Sequence, residues 1–206
     1  MGCSGSQDVG EKPRIVFFIG DPQCGKGAQC KRIVSHFKYQ YFSPAGLLIQ
    51  YVNDKKDNYK EIENLMNEGQ IIPSSTVMKV LKEYIINSRN KKILIDGYPK
   101  KQENIDLWEK EMKNLVEVKG VLYIEISNEE IKKRLERLFR IDEKVKRVDY
   151  DKEELIKKRL DIFEKEIKPI VDYFEKQGNL MKIDGMKTED EIFKEIGDIF
   201  KAKGLN

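Results

Sequence analysis

Four short stretches of the chain, 14–20, 92–97, 121–127 and 180–185, are runs of apolar and β-branched side chains with little polar interruption. Such runs, bounded by turn residues and lacking alternation, predict strands buried on both faces, as in a parallel sheet. A shorter aromatic run at 39–43 predicts a fifth strand. Between these runs the apolar spacing changes to three-and-four, which predicts helices over 25–37, 74–89, 104–113, 153–177 and 189–200. Pro73 suits the first turn of the second helix, and Pro169 predicts a kink in the fourth. In the last, Ile192, Phe193, Ile196, Ile199 and Phe200 share one face. Strands alternating with helices predict an open α/β fold with helices on both faces of a parallel sheet. Two stretches, 44–72 and 137–150, fall outside this rhythm. Insertions at the carboxyl ends of strands are where α/β enzymes keep ligand contacts and lids.

The first apolar run ends in Gly20-Asp21-Pro22-Gln23-Cys24-Gly25-Lys26-Gly27-Ala28. Glycines at 20 and 25 followed by lysine form the G-x-x-x-x-G-K core of a phosphate-binding loop. In such a loop backbone N–H groups converge on an anion and the following helix adds the positive end of its dipole. Lys26 supplies the mobile charge for a phosphoryl group. The motif ordinarily closes with Ser or Thr, and here Gly27 follows.

Composition narrows the chemistry. Hydrophobic residues make up 39% and charged residues 36%, with 39 Lys and Arg against 36 Asp and Glu. The charges are interspersed, so nothing points to a nucleic-acid partner, and the Lys-rich stretch 152–168 reads as a solvated helix face. Cys3, Cys24 and Cys30 make no even disulfide framework, which predicts a reducing, cytoplasmic setting. They lack zinc-ligand spacing, and His36 is the sole histidine, which disfavours zinc hydrolysis and serine-hydrolase triads. No apolar run reaches the length of a membrane span. Met1-Gly2-Cys3-Ser4-Gly5-Ser6 fits the N-myristoylation pattern at Gly2, and Cys3 could take the palmitoyl group that stable membrane anchoring needs. Cys24, beside Lys26 and a helix start, reads first as a small side chain filling space; the alternative is a thiol of lowered pKa that oxidation or alkylation would modify, blocking the phosphate loop.

Further landmarks stand at fixed intervals: Glu68-Gly69-Gln70-Ile71-Ile72-Pro73, Ile95-Asp96-Gly97-Tyr98-Pro99, Arg147-Val148-Asp149, and Lys157-Lys158-Arg159-Leu160 before Pro169. With the loop at 20–27, in this order, they resemble the nucleoside monophosphate kinases of the adenylate and UMP/CMP kinase family over nearly the whole chain. The family has glycine after the loop lysine, which accounts for Gly27. The resemblance implies a P-loop NTPase-type core (13–42, 73–136, 151–206), a small helical NMP-binding lobe (43–72) and a short lid (137–150), behind a flexible leader (1–12). It implies a monomer that phosphorylates a nucleoside monophosphate from ATP with Mg²⁺.

Residue by residue, the resemblance places Gly20, Pro22, Gln23, Cys24, Gly25, Lys26, Gly27 and Ala28 on ATP, with Lys133 and Gly185. Lys26, Arg137, Arg147 and Arg159 would neutralise the moving phosphoryl group, where planar guanidinium forks bind well. Asp96 would organise Mg²⁺ through waters. The acceptor would meet Ser43, Gly46, Ile72, Gly97, Lys100, Asn104, Arg147 and Arg159. Asn104, five residues after Pro99, resembles the UMP/CMP branch, where adenylate kinases carry glutamine. Asp149 and Asp151 resemble an acidic pair of the lid, with Tyr150 inserted between them. Several positions depart from the family. Ile49 and Lys100 stand where arginines hold the acceptor phosphate, Ser74 replaces an aspartate, Gln23 a loop glycine, Ala28 a threonine, and Lys133 an arginine beside Arg134. Three readings follow: a UMP/CMP-type kinase with altered acceptor recognition, a nucleotide-binding protein of weakened turnover, or an adenylate kinase.

Overall fold

The computed structural model describes residues 11–21, 23–141 and 160–206, without the side chains of 138–141. Strand β1 (Arg14–Gly20) is the axis of the molecule, and Ile15 through Ile19 are each 3% exposed or less. Its side chains alternate between two cores. Ile15, Phe17 and Ile19 face one, and Val16 and Phe18 face the other. Around it lie β2 (Gln40–Phe42), β3 (Lys92–Asp96), β4 (Glu117–Glu125) and β5 (Leu180–Asp184), in the order β2-β3-β1-β4-β5 with every pairing parallel.

One core is closed by α2 (Pro44–Asn53), α3 (Tyr59–Asn67), α4 (Ser74–Ile86), α5 (Gln102–Glu111) and the chain around Phe163–Phe174. The other is closed by α1 (Lys26–Phe37), α6 (Asn128–Ile141) and the carboxyl-terminal helix Glu189–Ala202. The chain leaves β1 toward β3 and β2 on one side and later adds β4 and β5 on the other. The reversal opens a crevice at the carboxyl end of β1, where open α/β sheets bind ligands.

Several boundaries differ from expectation. Strand β4 begins at Glu117 rather than 121, and a register shift between Ile15 and Val16 accommodates it. Pro73 precedes α4 in an extended conformation, with ψ 141, instead of joining the first turn. The kink expected at Pro169 takes the form of a π-helical turn, Phe163–Ile167, just before helix α7 (Lys168–Lys176). A widened turn there relieves the clash between the proline ring and the carbonyl four residues back. The carboxyl-terminal helix, α8 (Glu189–Ala202), opens with a capping box formed by Thr188 and Glu191. Helix α6 runs to Ile141, into the stretch expected as the start of the lid.

Candidate active site

The loop after β1 is shaped by close approach. A Cβ on Gly20 would lie 2.7 Å from Cys24 Sγ and 3.2 Å from the Ile124 carbonyl oxygen, so only glycine fits. Gly25 turns into α1 at φ 87. The first turn of α1 carries no acidic residue, and its N-terminus has no side-chain cap. Its amides and dipole are therefore open to an anion without a competing carboxylate. Gln23 adopts φ 61, a region that disfavours a side chain by about 1–2 kcal/mol and that glycine adopts freely.

Three side chains converge beside this turn. Lys26 Nζ contacts Asp96 Oδ1 at the end of β3, and Tyr41 donates its hydroxyl to Asp96 Oδ2 at 2.7 Å. Asp96 is a hard oxygen ligand, and its place beside the loop lysine suits Mg²⁺ held through water.

Asp21 has a structural part that its sequence position did not announce. It is 4% exposed, and accepts from Tyr123 Oη at 2.5 Å and from the Ile126 amide at 2.7 Å. Burial pushes its carboxyl above the usual range, opposed by these two hydrogen bonds. Two donors aimed at one side chain are met by its two oxygens, one for each.

Arg134 is the second residue that the sequence underweighted. Its Nε bonds Glu130 Oε1 at 2.6 Å, Nη1 reaches the Gln23 carbonyl at 3.1 Å, and Nη2 the Gly185 carbonyl at 3.3 Å. Lys133, expected at the ATP base, is exposed on α6, as is Arg137. A Cβ on Gly185 would come within 2.6 Å of the side chains of Ile124 and Ile126, so that turn also requires glycine. For Cys24 the space-filling reading holds and the reactive-thiol alternative is corrected. Cys24 is 3% exposed, and burial pushes its thiol up to about 11, overriding the lowering influence of Lys26. Cys30 behaves likewise, pushed up to about 12 by burial and by the charge of Asp96.

A second cleft of about 370 Å³ opens between the lobe and the sheet, bordered by Leu48, Ile72, Ser74, Gly97, Lys100 and Asn104. Asn104 is 6% exposed; its Oδ1 accepts from the Lys100 amide at 3.0 Å and its Nδ2 donates to Ser74 Oγ at 3.2 Å. Ser74 in turn donates to Glu103 at 2.8 Å. Ser43 caps α2, accepting from the Gly46 amide at 3.1 Å. Ile49 is half exposed on the same helix, and Lys100 is exposed. Pro22, Arg147, Asp149, Tyr150, Asp151 and Arg159 lie outside the described residues.

A phosphate-binding turn at the end of a central parallel strand, facing a second cleft under a helical lobe, defines a P-loop nucleotide-binding protein with two ligand sites. The family model for adenylate kinase matches residues 18–179. UMP-CMP kinase 3 of Arabidopsis thaliana is 36% identical over 94% of this chain and 92% of its own length. The UMP-CMP kinase of Homo sapiens is 35% identical over 94% of this chain and 100% of its own. UMP-CMP kinase 1 of Oryza sativa subsp. japonica is 35% identical over 93% of this chain and 75% of its own. The chain belongs to the adenylate kinase family, in its UMP-CMP kinase branch, and is a nucleoside monophosphate kinase that uses ATP.

Proposed function

We propose that the acceptors are CMP and UMP, phosphorylated from ATP to give ADP and the nucleoside diphosphate. The observation that carries this is Asn104, buried at the edge of the second cleft and fixed in orientation by the Lys100 amide and Ser74 Oγ. One N–H and one lone pair of that amide remain for a base. Held in that one orientation they complement N3 and the 4-amino group of cytosine and, one position along the same edge, O2 and N3–H of uracil, since an amide donates to one partner and accepts from the other.

Transfer between two phosphates needs no protein nucleophile, so the residues act by positioning and by neutralising charge. ATP draws Lys26 from Asp96 onto its phosphates, and the open amides of α1 take the remaining anionic charge. The freed Asp96 would hold Mg²⁺ through water, and the ion would supply positive charge against that developing on the phosphates. Arg137, Arg147 and Arg159 would close over the transferred group, a role supported by the family resemblance of their motifs. Tyr41 keeps the Asp96 carboxylate from rotating away. A cytoplasmic monomer acylated at Gly2 and Cys3 completes the proposal, supported by the Met1–Ser6 motif. Among the described residues no helix is long and apolar enough to cross a membrane.

A coupled assay of ADP production with CMP, UMP, AMP and GMP tests the acceptor. CMP and UMP should exceed AMP by at least about tenfold in kcat/KM, the range that a matched polar site gives over a mismatched one. AMP preference would overturn the assignment. A second reading is favoured by Ile49 and Lys100, which take the place of acceptor arginines. If no monophosphate turns over while ATP binds, the chain is a nucleotide-binding protein of this fold.

A further inference from the structure

Gln23 and Arg134 each depart from the simplest form of the site, and the structure joins them. Gln23 occupies a backbone conformation, φ 61, that a glycine adopts freely and a side chain resists. Its carbonyl oxygen is held at 3.1 Å by Arg134, and the same guanidinium holds the Gly185 carbonyl at 3.3 Å. Glu130 fixes the plane of that fork through Nε at 2.6 Å, in a pair whose side chains are 31% and 23% exposed. The two carbonyls belong to loops far apart in sequence, on either side of the carboxyl end of β4. A lysine cannot make this arrangement, because a single ammonium lacks the rigid spread of donors.

We propose that Arg134 is a positioning residue for the ATP loop, clamping a turn that Gln23 strains into the shape that binds phosphate. The proposal rests on the donor-site reading above. Glycine at position 23 would hold the turn unaided, so the need for the clamp depends on which residue stands there. Ligand affinity scales with the fraction of molecules in the competent shape. With Gln23 and no clamp, that fraction falls; with glycine in its place and no clamp, it stays near one.

The experiment uses the full chain and four proteins: the native sequence, Arg134→Met, Gln23→Gly and the double variant. ATP affinity is read with Mg²⁺ by displacement of a fluorescent ATP analogue, and unfolding midpoints are taken on the same samples. Arg134→Met should weaken ATP about tenfold, equivalent to about 1.4 kcal/mol, in the native background. In the Gln23→Gly background the loss should shrink to about threefold or less. Arg134→Lys should resemble Arg134→Met, and it serves if Arg134→Met fails to fold. Equal losses in both backgrounds, a loss below about twofold, or full affinity in Arg134→Lys would each overturn the clamp. Failure of the native chain to bind ATP would overturn the donor-site reading and the clamp together.

Discussion

Replacing Asp21 tests whether the phosphate loop is anchored where the structure anchors it. The carboxylate accepts from Tyr123 Oη and from the Ile126 amide, both out of water. Asp21→Ala leaves both donors without that partner, at about 1–3 kcal/mol each. Relief of the buried charge returns part of this, so the net loss should be about 2–4 kcal/mol. For a chain of this size each kcal/mol moves the midpoint by about 2–4 °C, so Asp21→Ala should melt about 5–15 °C lower. Asp21→Asn keeps an acceptor for Tyr123 but turns an N–H₂ toward the Ile126 amide, and should fall between the two, at about 1–2 kcal/mol.

The pH dependence supplies the sharper check. Burial raises the Asp21 carboxyl above its unfolded value. The folded state therefore binds a proton more readily than the unfolded one. Stability contributed by this group is greatest below the unfolded value and declines as pH rises through the folded one. The stability difference between the native chain and Asp21→Ala should thus shrink from acidic to neutral pH. Urea unfolding of both proteins at several pH values between about 4 and 7.5 measures it, with other titrations cancelling in the difference. A difference that grows with pH would refute the reasoning, because it would mean that the fold prefers the charged form. A melting loss under about 1 kcal/mol for Asp21→Ala would equally remove Asp21 as the anchor.

Two further outcomes follow from the same geometry. Ile49→Arg should raise kcat/KM for the acceptor by about tenfold to a hundredfold, since a charge-assisted contact contributes about 1.5–3 kcal/mol, and Lys100→Arg by less, since the lysine already supplies the charge and only the bidentate fork is gained, while KM for ATP stays within about twofold; steady-state kinetics with CMP and UMP read this, and no gain from either would count against phosphate recognition at those positions. Cys24 and Cys30 should resist iodoacetamide at pH 7.5 with or without ATP, because burial pushes both thiols up, to about 11 and about 12; peptide mapping separates them from Cys3, and rapid labelling of Cys24 would contradict its burial.

What the sequence disclosed depended on how local each signal was. Strand β1, the glycine-lysine turn and the Asp96-Gly97-Tyr98-Pro99 landmark are written in contiguous residues, so periodicity and motif recover them. The start of β4 was hidden because Glu117, Lys119 and Gly120 interrupt its apolar run, although pairing of Glu117 with Arg14, Val118 with Ile15 and Gly120 with Val16 makes this stretch strand. Tyr41, Asp21 and Arg134 were harder still. Their partners lie 55, 102 and 111 residues away, and no local pattern marks a tyrosine, an aspartate or an arginine for such contacts. The reactive-thiol alternative for Cys24 fails for the same reason. Its neighbours in sequence argue for a low thiol pKa, and its enclosure by the tertiary fold reverses the sign.

The departures from the family divide along the site. On the donor side Gln23 is met by the Arg134 fork, and its neighbour Asp21 by Tyr123 and Ile126, so both of these loop residues have partners elsewhere in the fold. On the acceptor side Ile49 and Lys100 project from exposed positions, while the element behind them, Asn104 with Ser74 and the Lys100 amide, is buried and fully oriented. Substitution at an exposed position perturbs the fold little, whereas a change inside a hydrogen-bonded loop must be matched or lost. On the proposed roles, affinity for the acceptor phosphate is therefore free to drift in this chain without disturbing either ATP binding or the Asn104 amide proposed to read the base. Acceptor KM is the parameter in which it should stand furthest from its relatives.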